Sequence, residues 1–250
     1  MKAALRPMAK GVRVNIKILY DNNASDSGFL TGWGFSCLVD NKVLFDTGGD
    51  GKILMSNMKR MEVNPPLIED IVISHDHRDH TGGLAAVIKG REDVNIHACS
   101  GFSPEFKQKV GDLRGNLIEH DGFFGIRKGI SVTGMIPGKY KAKDIEEQAL
   151  VISTSNGLTV ITGCAHPGIV KIVEKVKEKF NAETIYRVLG GFHLSKKRRE
   201  EIADVAEKLK SLRVRKIGPC HCTGDEAVSI FRESFAGDFL PIAAGKELEV

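Results

Sequence analysis

Residues 74–83 read SHDHRDHTGG, which puts three of the chain's eight histidines and two aspartates into positions 75–80. An apolar run, IEDIVIS, leads into this stretch, and the glycine pair Gly82–Gly83 follows it. The pattern predicts a buried strand that runs straight into a turn. His75 and His77 lie two apart on an extended segment, so both imidazoles can face one side. Asp79 and His80 fall where the chain bends toward the next helix, and the glycines allow a close backbone approach there. Four nitrogen and oxygen donors from one short loop suit zinc, iron or manganese. They can also split into two pairs, as in hydrolytic sites that hold two ions about 3.5–4 Å apart. A solvated polar loop has no need of three imidazoles, and burying so many polar groups uncompensated costs several kcal/mol. The cluster therefore demands a fold that brings further donors to it.

Candidates for those donors recur in one kind of place. Three of the other five histidines sit in glycine-flanked strand exits: Gly163-Cys164-Ala165-His166, Gly190-Gly191-Phe192-His193 and Gly218-Pro219-Cys220-His221-Cys222. Taken singly, each is a satisfied core histidine; together they point to one convergent pocket of His, Cys and carboxylate donors. His166 and His221 are expected as metal ligands and His193 beside them. Asp46, closing a strand in LFDTGG, is expected to accept a hydrogen bond from a ligand histidine, the alternative being a helix cap. His97 and His120 take the plain reading of packing or surface residues. The Cys-His-Cys run at 220–222 lacks the spacing of a zinc ribbon.

The rest of the chain supplies strands and helices in alternation. GVRVNIKILY alternates strictly, with Val12, Val14, Ile16 and Ile18 on one side, as a half-buried strand does. A long polar segment follows, then strand, turn at Asp40-Asn41, strand, and a helix carrying Ile53, Leu54, Met58 and Met61. Ser103 and Pro104 mark a helix start. Residues 111–147 predict short strands and turns. Beyond them come a hairpin turning at Asn156-Gly157, three amphipathic helices and a closing edge strand, KELEV. SCLVDNKVLFDTG and ALVISTSNGLTVITG share one form, which predicts two similar halves, about 1–145 and 146–250, sharing a core in one domain of 1–250. Strands alternating with amphipathic helices predict an α/β protein with helix-covered sheets. Five cysteines are too few, and odd in number, for a disulfide scaffold, and no signal peptide or spanning segment is legible. These features predict a cytoplasmic location with no membrane partner. A net charge of +4 leans toward anionic ligands without implying nucleic acid.

HDHRDH after a strand, with FDTG some thirty residues earlier, resembles the HxHxDH signature of the metallo-β-lactamase superfamily. The resemblance covers nearly the whole chain. It implies a four-layer αββα sandwich with metals at one edge, with His75, His77, Asp79 and His80 as ligands, Asp46 orienting them, and His221 as the last ligand. The chain departs from that pattern in two places. The slot of the family's bridging aspartate reads Gly163-Cys164; Cys164 is a thiolate ligand, a reactive thiol or a small buried residue, and the sequence does not choose. Cys99 stands about where the family's middle histidine falls, so His166 becomes the candidate replacement. WGFSCLV, TGCAHPGI and GGFHL look like a subgroup of metal-dependent hydrolases, some of which bear the name of a dihydropterin ribofuranosyl-aminobenzene phosphate synthase.

These readings predict a metal-dependent hydrolase with one or two divalent ions, zinc foremost and iron or manganese as alternatives. Metal-bound hydroxide would attack a phosphoester or related ester of a small anionic molecule. Asp79 would orient the nucleophile, and His193 would stabilise developing charge. Of Lys196, Lys197, Arg198 and Arg199, one or two would hold a phosphate and the others form a solvated basic face. Trp33 would flank a ring-bearing substrate or else pack in the core. Competing readings are an iron-dependent oxidoreductase on the same fold, an RNA-processing nuclease, and a closed structural metal site. No basic, aromatic-rich stripe supports the nuclease, and six or more candidate ligands exceed the four that close a structural site.

Overall fold

Alternation in the first strand sends its two faces to two different cores. The computed structural model describes residues 14–250, so Val12 lies outside the described residues. In β1 (Asn15–Tyr20), Ile16 and Ile18 join Val14 in a core between two sheets. Leu19 and Tyr20 pack on the opposite side, where a register shift between Ile18 and Tyr20 turns the strand.

The first sheet has the order β15-β1-β2-β3-β4-β5-β6. Its other strands are β2 (Ser36–Val39), β3 (Val43–Phe45), β4 (Asp70–Val72), β5 (Asn95–Cys99), β6 (Asn116–His120) and β15 (Glu247–Glu249). KELEV thus forms the edge strand that the sequence suggests, antiparallel to β1. The second sheet has the order β14-β13-β12-β11-β8-β7. It contains β7 (Phe124–Arg127), β8 (Ile130–Val132), β11 (Leu150–Thr154), β12 (Gly157–Thr162), β13 (Ile185–Gly191) and β14 (Val214–Cys220). A separate hairpin, β9 (Ile136–Tyr140) and β10 (Lys143–Glu147), links them. From β1 to β5 the pairings run antiparallel, antiparallel, parallel, parallel, and from β8 through β11 to β14 they run the same way.

Helices cover both outer faces. Leu54 and Met58 of α1 (Gly51–Arg60), Leu84, Val87 and Ile88 of α3 (Leu84–Ile88), and Phe106 and Val110 of α4 (Pro104–Asp112) pack on the first sheet. One-turn α2 (Arg78–Thr81) precedes them at the sheet's rim. Helices α5 (Ile169–Phe180), α6 (Arg199–Ser211) and α7 (Asp225–Phe235) cover the second sheet through Val173, Ala206 and Phe231 among others. The result is four layers, αββα. None of the helices among the described residues is long and apolar enough to cross a membrane. Local chemistry follows the sequence closely: Ser103 caps α4 by accepting from Phe106 N, and Asp40 and Asn41 both take the left-handed φ of a tight hairpin. The second hairpin turns one position earlier than expected, at Ser155-Asn156, because Thr154 already pairs with Gly157.

His97 and His120 are buried, as a packing role requires, but they are also members of a polar chain between the sheets. Arg127 of β7 donates to Asp70 of β4 at 2.8 Å. Asp70 can only accept, so His97 donates to it from Nε2 (3.1 Å), and His97 Nδ1 then accepts from His120 Nε2 (2.9 Å). Phe124 stacks on His120, with ring centroids 4.3 Å apart. Burial, aided by His97, pushes the His120 pKa down to about 4 from 6.5. A depressed folded value means that stability from neutral His120 is fully present above about pH 6.5 and is lost as pH falls through about 4. His120→Gln should therefore flatten the fall of Tm across that window relative to the native chain. Superimposable pH profiles would show that His120 titrates no differently in the fold.

Candidate metal centre

Parallel pairing decides where the donors gather. The strands β3 and β4 of one sheet and β12, β13 and β14 of the other each run into a chemically active loop at the carboxyl end. In parallel strands those ends share one rim, the place where α/β folds collect ligands. Asp46 follows β3 and His75 follows β4; Cys164 and His166 follow β12, His193 follows β13, and His221 follows β14. Asp46, Ala165, His193 and His221 all adopt left-handed φ, between 50° and 59°. Such backbone is uncommon outside glycine, and here it turns each exit sharply toward the rim.

The hydrogen bonds around the imidazoles form one consistent pattern. Asp46, fully buried, accepts from Ser74 N and Ser74 Oγ, each at 2.7 Å, and lies 2.6 Å from His80 Nδ1. Because Ser74 Oγ spends its proton on Asp46, it must accept from His75 Nδ1, 2.9 Å away. Glu147 accepts from the backbone of Cys164, Ala165 and His166, and it takes His166 Nδ1 at 2.9 Å. His221 Nδ1 meets Asn22 Oδ1 at 3.1 Å. In four imidazoles Nδ1 is thus engaged outward, which leaves Nε2 facing inward. The Nε2 atoms of His75 and His221 are buried without a well-formed hydrogen bond, that of His221 having only the Asp79 carboxylate 3.4 Å away. Unpartnered buried imidazole nitrogens are costly unless something binds them, and a histidine tethered through its other nitrogen is what metal sites use.

Two donor groups built on the histidine cluster are close enough to hold a cation: Asp79, His80, Cys164 and His221, and beside them His75, Cys164 and His166. Cys164 belongs to both, with Sγ 3.3 Å from His80 Nε2. Asp79 Oδ2 lies 3.5 Å from His80 Nε2 and 3.4 Å from His221 Nε2. His77 stands at the edge of the second group, its ring 4.7 Å from that of His75 and 5.1 Å from that of His166. At His75, His77 and Asp79 the charges suit a cation. Against the pull of burial, Asp46 and Asp79 raise His80, so an incoming cation displaces a proton from it. Burial pushes His75 and His77 down, so both present neutral lone pairs. Burial alone would raise Asp79, but the His221 and His80 imidazoles more than reverse this and hold it ionised. Burial also raises the Cys164 thiol well above its free value, which disfavours a reactive thiolate in the absence of a cation. The donors are mixed imidazole, carboxylate and thiolate, a set that fits divalent zinc, iron or a similar ion.

The candidate ligands and catalytic residues named from the sequence are brought to this rim: His75, His77, Asp79, His80, Cys164, His166, His193 and His221, with Asp46 behind them. Cys99 is not there; it is buried in the outer core of the first sheet, and His166 occupies the neighbourhood of His75 and His77 instead. Four contributors escaped sequence reading. Ser74, Asn22 and Glu147 are ordinary polar residues whose partners are fixed only by the fold. Cys222 lines the same cavity, and its one signal was adjacency to His221. Asp76, inside the motif, turns away and accepts from Ser103 N at 2.9 Å, which ties the loop to α4. Trp33 is a rim residue, 59% exposed, rather than part of the core.

The sequence profile of the metallo-beta-lactamase superfamily matches residues 37–221. The chain belongs to that superfamily. Its four layers are the αββα sandwich of this fold. A curated relative from Methanocaldococcus jannaschii, named 7,8-dihydropterin-6-methyl-4-(beta-D-ribofuranosyl)-aminobenzene-5'-phosphate synthase, is 32% identical, with 93% of this chain and 96% of the relative covered. The crystal structure of Tm1679, described as a metal-dependent hydrolase of the beta-lactamase superfamily, superposes with a TM-score of 0.80 at 32% identity, covering 95% of this chain and 99% of that one. A diphosphatase of the PhnP family shares the fold at a TM-score of 0.65 and 15% identity, over 96% of this chain and 98% of that one.

Asp46 fixes His80 directly and His75 through Ser74. Asp46→Asn should lower zinc affinity by roughly ten- to a hundred-fold, the usual cost of losing an orienting partner. Competition against a chromophoric chelator measures it, and an unchanged affinity would mean that Asp46 does not position the ligands.

Proposed function

We propose that this chain is a metal-dependent hydrolase acting on a phosphoester of a small, anionic, ring-bearing molecule. The carrying observation is the set of inward Nε2 atoms beside a cleft edged by four lysines, two of them without a carboxylate partner. A cavity of about 280 Å³ over the candidate ligands is lined by Trp33, His77, Asp79, Tyr140, His166 and His193 among others. It adjoins a cleft of about 440 Å³ edged by Lys139, Lys141, Lys196 and Lys197. Lys139 pairs with Asp144 and Lys197 with Glu201, while Lys141 and Lys196 have no carboxylate partner among the described residues. Two unpaired ammonium groups beside Trp33 and Tyr140 suit a phosphate attached to a ring.

His75, His77, Asp79, His80, Cys164, His166 and His221 would hold one or two divalent ions. Such ions would lower the pKa of coordinated water toward about 7 and polarise a phosphoryl oxygen. The chain's own groups supply the rest. Asp79, kept ionised between His80 and His221, would orient the attacking water, and is too weak a base to keep the water's proton, which passes to solvent. Lys141 and Lys196 hold the phosphate, and Trp33 and Tyr140 confine the ring. His193, on the cleft side, donates a hydrogen bond to the oxygen on which charge builds.

One observation favours a second reading. The name of the Methanocaldococcus jannaschii relative describes a product that carries a dihydropterin, an aminobenzene and a 5'-phosphate. The lysine cleft and its two aromatic rings suit a molecule of that class equally well, so bond formation between two such parts is the alternative reaction.

A screen of phosphomonoesters, phosphodiesters, lactams and thioesters, with and without chelator, tests the hydrolytic reading. Chelator-sensitive phosphoester turnover is expected, with His77→Ala losing both bound metal and turnover. Lys141→Ala and Lys196→Ala should each raise KM by roughly ten-fold or more and change kcat little, as loss of a charged hydrogen bond to bound phosphate does. Metal and turnover retained in His77→Ala would end the hydrolytic reading.

A further inference from the structure

Cys222 is the donor that the histidine centre leaves over. Its Sγ, Cys164 Sγ and a ring nitrogen of His193 lie within 4.8 Å of one another. Both thiols are buried, each about 3% exposed, while His193 forms part of the cleft wall. Each donor comes from a different strand exit, those of β12, β13 and β14, which are consecutive parallel neighbours. The exits are pinned together: Thr223 Oγ1 accepts from Phe192 N at 3.0 Å and donates to Cys220 O at 2.7 Å. Gly191 leaves the space that Cys222 needs, since a Cβ there would come within 2.7 Å of its Sγ. At φ 52°, His193 turns its ring back toward the thiols.

We propose that Cys164, His193 and Cys222 form a further coordination pocket, rich in thiolate, for a zinc-like or ferrous cation. The proposal builds on the metal-centre reading through Cys164, which also belongs to both donor groups of the histidine centre. Thiolate with imidazole selects zinc, iron or copper over magnesium and manganese. Three protein donors would leave a fourth position open, as in sites that exchange a water or substrate atom, and His193 and Cys222 both line the lysine cleft. Loading displaces the thiol protons to solvent, and no electron moves.

Cobalt titration of the reduced, chelator-stripped full chain tests it by counting bound ions and by the near-ultraviolet thiolate-to-cobalt charge-transfer band. The native chain should show the band. Cys222→Ser should bind one cobalt fewer and lose about half of the band, because one of two thiolates is gone. His193→Asn, at the cleft wall and with a residue tolerant of left-handed backbone, should also lose that ion. His166→Ala should lose an ion from the histidine pocket and keep the band. Native cobalt count and band in both Cys222→Ser and His193→Asn would overturn the proposal. Cobalt bound without any charge-transfer band would overturn it and would leave the histidine centre only its imidazoles and Asp79 as ligands, while no cobalt bound at all would overturn both.

Discussion

The outward tethering of the imidazoles is the constraint on which the site depends. A buried histidine can turn either nitrogen inward, and rotation about its side-chain bonds decides which. Here Asp46, Ser74, Glu147 and Asn22 each take an Nδ1, so the choice is made before any ligand arrives. Asp46 has the largest share of this work. It is fully buried, and burial raises its pKa; its bonds to Ser74 and His80 oppose that shift. Asp46 in turn, with Asp79, lifts His80 to about 10 against the pull of burial. A carboxylate so placed would be expensive without those partners. With them it converts a costly interior charge into a fixed orientation for His80 and, through Ser74, His75.

That orientation is useful only because the fold delivers the donors to one rim. Two sheets with the same run of pairings place five parallel strand ends along it, and the loops there are short and sharply turned. Gly163 shows how tight the packing is, since any Cβ would collide with the Ser74 hydroxyl behind the ligands. The apolar core between the sheets, from Val14 to Val250, sets the distance between the halves and hence between His75 and His221. Stability and geometry therefore rest on the same residues, and a loosened inner core would cost the site its spacing as well as the fold its strength.

Much of this was legible in the sequence, for identifiable reasons. Period-two strands and amphipathic helices mark their own faces, and Ser103-Pro104 and Asp40-Asn41 carry local signals that need no tertiary context. The histidines stood out because they follow strands and glycines, a pattern visible without knowing which strands are neighbours. What escaped depends on long-range contacts. Glu147 sits in an irregular stretch, and its meaning appears only when His166 is folded against it. Asp70, His97 and His120 look like unrelated residues until β4, β5 and β6 align them. Trp33 was ambiguous because exposure is a property of the surface, not of a tripeptide. Cys222 lacks zinc-ribbon spacing because its partners, Cys164 and His193, follow other strands.

The most direct measurement is anomalous diffraction at the zinc edge from crystals of the chain grown with zinc. Scattering centres are expected about 2.0–2.1 Å from the Nε2 atoms of His75 and His166, or of His80 and His221, with every outward Nδ1 bond retained. A zinc-loaded crystal with no scatterer among these imidazoles, or with rings turned so that Nδ1 faces inward, would contradict the tethering on which the whole site is built.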